Sequence, residues 1–95
     1  MNHAEFHDLV ESTIRGMYDR IPERYHEGFE IAFKVGELGP AVEELLGGLQ
    51  RFDTPITPAE RDNLTRVLNY LNEPVSRLDG IAVTYVPSRD SESPP

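Results

Sequence analysis

Ninety-five residues, 38% of them hydrophobic, suffice for one domain with a modest core that buries roughly 60–65% of the unfolded chain's surface. The formal net charge of −8, from 17 acidic and 9 basic side chains, disfavours nucleic-acid binding and favours fast encounter with a basic partner. The absence of cysteine excludes disulfides, thiolate catalysis and thiolate metal sites.

The first predicted helix covers about residues 3–20. Apolar side chains recur on one side of it at ~100° per residue, from Phe6 to Ile21. Pro22 disfavours helical geometry at Ile21 and itself suits the first turn of a helix. We therefore expect the chain to leave the first helix near Arg20 and to enter a second one at once.

The second predicted helix covers about residues 22–35 and is apolar on more than one side. Tyr25, Phe29 and Phe33 form its main face, whereas Ile31 and Val35 sit to one side of that face. This pattern predicts a central helix that touches two neighbours.

The third predicted helix, about residues 40–52, separates apolar from polar side chains cleanly. Its apolar arc consists of Ala41, Val42, Leu45, Leu46, Leu49 and Phe52. Gly47 lies on the polar side, beside Gly48, and each interior glycine costs roughly 1 kcal/mol relative to alanine. Either the helix bends at this pair, or a bare strip of backbone faces outward.

The fourth predicted helix, about residues 58–71, has the sharpest start signal in the chain. Thr57 can cap the free N–H groups, Pro58 suits the first helical position, and Glu60 can complete a capping box. Leucine and valine then recur at helical spacing as far as Leu71.

After these helices comes the predicted extended segment, residues 80–86, which from Ile81 onward is mostly β-branched and aromatic, as is typical of a strand. Since no second strand is evident, this segment must lie across the bundle, pair with its copy in a dimer, or extend a partner's sheet. Residues 88–95 are polar and rich in proline and serine, which predicts a flexible tail.

These elements together predict an all-α fold. We expect a small antiparallel bundle of four helices with a short C-terminal extended, strand-like segment. Residues 1–87 would form a single helical domain, followed by the tail.

Three histidines are the first candidates for chemistry. His3 and His7 are four residues apart, so both could contact one metal ion on a helix, with His26 as a third ligand. Because His3 and His7 flank the apolar face of the first helix, packing is the simpler interpretation. No residues form a catalytic triad, a phosphate loop or a paired-carboxylate motif. We expect no metal, no cofactor and no enzymatic activity.

The acidic residues around the third helix are candidates for partner binding. This set, with the glycine between them, consists of Glu37, Glu43, Glu44, Gly47 and Asp53. Each carboxylate alone is most simply a solvated surface group. Together they predict an acidic surface of low relief that suits a basic protein.

Residues 35–71 resemble small bacterial toxin-immunity proteins of the MafI type. The matching positions are Gly36-Glu37, Ala41, Glu43 or Glu44, Leu45, Leu49, Asp53, Pro55-Ile56-Thr57, Glu60, Leu64 and Leu68. Pro40, the Gly47-Gly48 pair and the extension after Pro74 depart from that pattern. The resemblance implies a protein that binds and occludes a cognate toxin, and an acidic inhibitor suits a basic toxin such as a nuclease.

Two interpretations of function follow from the sequence. The first is an acidic immunity protein; the alternative is a small homodimeric adaptor or regulatory protein that pairs through residues 80–86 or through exposed apolar helix faces. The N-terminal residues lack the basic and apolar regions of a signal peptide, and no apolar run approaches the ~20 residues of a membrane span. Either protein is expected in the cytoplasm, without membrane contact.

Overall fold

The structure, a computed structural model, describes residues 1–86. It consists of helices α1 (His3–Arg15), α2 (His26–Val35), α3 (Leu38–Arg51) and α4 (Pro58–Tyr70), with 3-10 turns at Glu23–Tyr25 and Val75–Leu78. No strand occurs between residues 1 and 86, so the predicted all-α class is confirmed, while the antiparallel order of the helices stays a prediction. The predicted flexible tail, residues 88–95, lies outside the described residues.

The core forms where α1 packs on α3 and α4, and where α2 packs on α3. Helix α3 contributes most to it, with Leu38, Ala41, Val42, Leu45, Leu46 and Leu49 all buried. These residues confirm the apolar arc predicted for this helix, with one exception. Phe52 remains 41% exposed, because α3 ends at Arg51 and the next residue leaves the helical path.

Helix α1 starts with a capping box and ends earlier than expected. The side chain of Asn2 accepts from the Glu5 N–H at 2.8 Å, and the Asn2 N–H donates to the Glu5 carboxylate at 3.0 Å. The helix ends at Arg15 instead of near Arg20. From Gly16 onward the backbone forms a tighter turn, in which the Met17 N–H donates to the Ile14 carbonyl, three residues back, at 3.0 Å. In this turn the Met17 side chain is fully buried in the core.

Helix α2 touches two neighbours, but not through the second apolar side on which that prediction rested. Besides α3 it meets α1, where Arg15 donates to Glu30 at 2.8 Å and the His7 ring lies 3.0 Å from the Phe33 carbonyl. Ile31 and Val35 are buried by neither neighbour and remain exposed. The second apolar side of α2 is therefore surface, not core.

Helices α3 and α4 begin with different signals. Helix α3 begins at Leu38, so Pro40 falls inside its first turn, where N–H groups have no partner within the helix. The capping box of α4 is confirmed, because the Glu60 N–H donates to Thr57 Oγ1 at 3.0 Å and the Thr57 N–H donates to Glu60 at 2.8 Å.

The C-terminal segment lies across the bundle, the first of the three predicted alternatives. The Ile56 N–H donates to the Ala82 carbonyl at 2.9 Å, and the Tyr85 N–H donates to the Ile56 carbonyl at 3.2 Å. Ile81 is buried and Val83 packs against the core. The loop before α4 thus supplies the pairing that a second strand would have supplied.

Among the helices within residues 1–86, none combines the length and the apolar character needed to cross a bilayer.

Candidate functional site

Glu43 and Glu44, adjacent in sequence, lie on different sides of α3. Arg77 donates to both carboxylate oxygens of Glu43, one of them at 2.7 Å. The pKa of Glu43 lies below its ordinary value because of these hydrogen bonds. This ion pair joins α3 to the 3-10 turn at Val75–Leu78, so Glu43 has a role within the fold. Its role in partner binding stays a prediction.

Glu37 and Glu44 line an open groove between α2 and α3. Both carboxylates are exposed. Within residues 1–86, neither takes part in an ion pair. Of the five predicted contact residues, these two are the ones that the structure brings to the same groove.

Asp53 occupies the end of α3 in a left-handed conformation, with φ of 51°. Its own N–H donates to the Gln50 carbonyl at 3.3 Å, and the Thr54 N–H donates to the Leu49 carbonyl at 2.9 Å. This pair of bonds satisfies carbonyls that a helix end otherwise leaves free. Asp53 therefore has a conformational role, in addition to any role in binding.

Gly47 lies on the outward side of an uninterrupted helix α3. A Cβ atom added to Gly47 or Gly48 would meet nothing within 4 Å. Both glycines are half-buried with open space beside them, which agrees with the bare strip of backbone, one of the two predicted alternatives. Gly48 also lines a half-open pocket beside Tyr25 and Phe52 of about 20 Å³, which is room for about one water molecule.

The groove also contains apolar residues that the sequence did not identify as a site. Ile31 is 55% exposed and Val35 is 58% exposed, and both line the groove with Gly28 and Ala32. We define this set, together with Glu37, Pro40, Ala41 and Glu44, as the α2–α3 groove. The signal in the sequence is the pair of apolar residues four apart, off the main face of α2, which by periodicity alone predicts a second core contact.

A cluster of arginines and aromatic rings lies at the other end of the same helix pair. The Arg24 guanidinium carbon is 5.0 Å from the Tyr25 ring centroid, and that of Arg51 is 5.7 Å from the Phe52 centroid. The two rings are 6.2 Å apart. Exposed aromatic and arginine side chains of this kind are enriched at protein interfaces.

The three histidines do not converge. His7 Nε2 is within hydrogen-bond distance of the Phe33 carbonyl oxygen, at 3.0 Å. His26 Nε2 lies 3.1 Å from the Tyr18 carbonyl oxygen and 3.0 Å from the Ile21 carbonyl oxygen. The His26 ring also stacks on Tyr18, with centroids 3.9 Å apart. In the part of the chain that the structure describes, no three His, Asp or Glu side chains are grouped so that they could hold a metal ion.

Comparison with known proteins provides no relative: no family model, no curated protein sequence and no solved structure matches this chain.

Proposed function

We propose that this chain is a non-catalytic protein-binding module that uses the face formed by α2 and α3. One observation carries the proposal: two large aliphatic side chains, Ile31 and Val35, are more than half exposed in the groove that Glu37 and Glu44 also line. An apolar centre with a polar rim is the usual composition of a protein interface. The arginine–aromatic cluster at Tyr25 and Phe52 extends the same face.

The partner is a basic protein, since the chain carries a net charge of −8 and charge complementarity accelerates encounter. With the resemblance of residues 35–71 to immunity proteins, the specific proposal is an acidic immunity protein in the bacterial cytoplasm. It would bind a cognate toxin domain, such as a nuclease, and cover the cationic surface that the toxin uses. Inhibition of this kind is steric and electrostatic and needs no chemistry from the inhibitor.

A genetic test addresses the proposal directly. A toxin-like coding sequence next to this gene supports it, and co-expression of that toxin domain with the present chain restores growth of the host. If the toxin domain kills the cells equally with and without this chain, the immunity proposal is wrong.

A kinetic test addresses the charges. Glu37→Lys and Glu44→Lys each slow association with the toxin domain about threefold to tenfold at low salt, because they reverse the field that steers encounter. Asp62→Lys is the matched control, since Asp62 is exposed on α4. Equal slowing by all three variants would reject the α2–α3 face and leave only a general effect of net charge.

A further inference from the structure

We infer that the α2–α3 groove receives a cationic amphipathic helix of the partner protein, which seats aliphatic side chains on Ile31 and Val35 and lysine or arginine beside Glu37 and Glu44. This inference rests on the proposed function and specifies the partner element that the groove recognises. It adds apolar contacts to a surface that the sequence had identified by its charges alone.

The α2–α3 groove places large aliphatic side chains next to small ones. Ile31 and Val35 lie one helical turn apart and form one wall, while the small side chains of Ala32 and Ala41 lie between the helices. A groove between two helices with aliphatic walls suits an amphipathic helix, whose residues at spacings of three and four face it together. Such a helix would remove from water the two most exposed aliphatic side chains of α2.

The α2–α3 groove also carries exposed carboxylates. Glu27, Glu37 and Glu44 are exposed, and within residues 1–86 they belong to no ion pair. The residues that line the groove include two acids, Glu37 and Glu44, and no lysine or arginine, and Lys34 is the nearest basic residue within α2. A partner helix with basic flanks complements this rim, whereas a second copy of the chain would bring the same carboxylates and be repelled.

Gly28 supports the same conclusion. It lies inside α2, where glycine is unfavourable relative to alanine, and a Cβ atom at this position would meet nothing within 4 Å. Packing within the chain therefore does not require glycine here. The missing side chain leaves room for close approach of another backbone at the groove.

The test uses the full chain and a synthetic peptide probe. The probe is an amphipathic helix of about four turns, with leucine on one face and lysine on its flanks; its comparator carries glutamate in place of every lysine. We expect the lysine probe to bind and to shift the NMR signals of Ile31 and Val35 first, while the glutamate comparator does not bind. Binding of both peptides, or shifts centred elsewhere, would overturn the inference.

Matched variants locate the binding. Val35→Ser weakens binding of the lysine probe about fivefold to tenfold, whereas Val86→Ser, at a valine that is 68% exposed outside the groove, changes it by less than about twofold. Gly28→Gln obstructs the groove and weakens binding at least as much as Val35→Ser. Because Gly28, Val35 and Val86 are all exposed, circular dichroism should show that the three variants are folded.

The variants also separate this inference from the proposed function. A toxin domain that binds Val35→Ser and Gly28→Gln as tightly as the original chain would overturn the inference and leave the immunity proposal intact. Absence of any effect of the original chain on toxicity would reject the immunity proposal instead, while the peptide result would still decide the chemistry of the groove.

Discussion

Three helices end in the same way, each with one residue in the left-handed conformation. The φ angle is 79° at Gly36, 51° at Asp53 and 63° at Asn72. In each case the N–H of the following residue donates to a carbonyl five residues back, as the Glu73 N–H does to Leu68 at 2.8 Å. Glycine takes this conformation freely, whereas residues with a Cβ atom are strained in it.

Asp53→Gly and Asn72→Gly should therefore each raise the free energy of unfolding by about 0.5–1 kcal/mol. Gly36→Ala, at the third equivalent position, should lower it by about 1 kcal/mol. Urea unfolding monitored by circular dichroism measures all three. Lower stability in either glycine variant would mean that the aspartate or asparagine side chain contributes more than its backbone strain costs.

A second residue-scale feature is the ion pair between Arg20 and Glu60. Arg20 donates to both oxygens of Glu60, at 2.9 and 2.6 Å, and also to the Pro55 carbonyl at 3.1 Å. The two side chains are only 11% and 14% exposed. Burial by itself raises the pKa of Glu60, but hydrogen bonds from Arg20 and Thr57 outweigh it and lower the pKa below its ordinary value.

The lowered pKa gives a pH dependence with a definite sign. A carboxyl group whose pKa is depressed by folding contributes stability that is fully present above its unfolded pKa, about 4.3, and that is lost as pH falls through the folded pKa. Arg20→Met should cost about 2–3 kcal/mol at neutral pH, because it leaves Glu60 partly buried without its partner. It should also flatten the loss of stability below pH 4.

Arg66→Met is the matched control, since Arg66 is exposed and, within residues 1–86, has no ion pair. It should change stability by less than about 0.5 kcal/mol at any pH. Urea unfolding between pH 3 and pH 7 compares the free energies of unfolding of the Arg20→Met and Arg66→Met variants. An unchanged acid slope in Arg20→Met would contradict the assignment of that slope to Glu60.

At the scale of elements, the C-terminal segment is held at three points. Ile81 is buried, the Ala82 carbonyl accepts from Ile56, and the Tyr85 ring lies 3.9 Å from the Arg20 guanidinium carbon. The Tyr85 hydroxyl also donates to Asp19 at 3.2 Å. Arg20 thus links the end of the α1 turn, the start of α4 and this segment.

Tyr85→Ala should lower the free energy of unfolding by about 1–2 kcal/mol, because it removes the ring from Arg20. Tyr85→Phe keeps the ring and loses one exposed hydrogen bond, so it should cost less than about 0.5 kcal/mol. Amide exchange at Ile56 gives a local readout: its protection should fall in the alanine variant and persist in the phenylalanine variant. Similar exchange in both would show that Tyr85 does not hold the segment.

Helix α3 gives a prediction of its own. Gly47→Ala and Gly48→Ala should each raise the free energy of unfolding by about 1 kcal/mol, since neither position is left-handed and both have open space for a methyl group. Thermal and urea unfolding measure the gain. A loss of stability would mean that α3 needs the glycines for its own packing, and the interpretation of a bare outward strip would fail.

At the scale of the whole molecule, the net charge of −8 favours a monomer. We expect sedimentation at physiological salt to give the mass of one chain, 10.8 kDa. A stable dimer would favour the adaptor alternative. Truncation after Pro74 is not a suitable test of dimer pairing through residues 80–86, since it also removes Leu78 and Ile81 from the core. Val86→Asp tests pairing through residues 80–86 more cleanly, because Val86 is exposed and can be changed without disturbing the fold. A dimer that pairs through this segment should dissociate in the variant.

What the sequence alone determined is the local part of the fold. The apolar arc of α3 from Ala41 to Leu49 and the Thr57–Glu60 capping box follow from residues within one or two turns of each other, where side-chain direction is set by helical geometry. The all-α class follows from the same periodicity. Helix ends were less predictable. Helix α1 ends at Arg15, just before Met17 enters the core, and the burial of Met17 depends on residues from other elements.

Only the tertiary structure decided which charged and aliphatic side chains stay at the surface without an ion pair or a packing neighbour in the described residues. Glu43 pairs with Arg77, 34 residues away, so one of two adjacent carboxylates is engaged within the fold while Glu44 remains free of ion pairs in the described residues. Ile31 and Val35 are aliphatic residues of the kind found in cores, yet within residues 1–86 no helix or loop buries them. Periodicity shows which side of a helix is apolar, but whether that side is buried depends on contacts between distant parts of the chain, which local spacing does not encode.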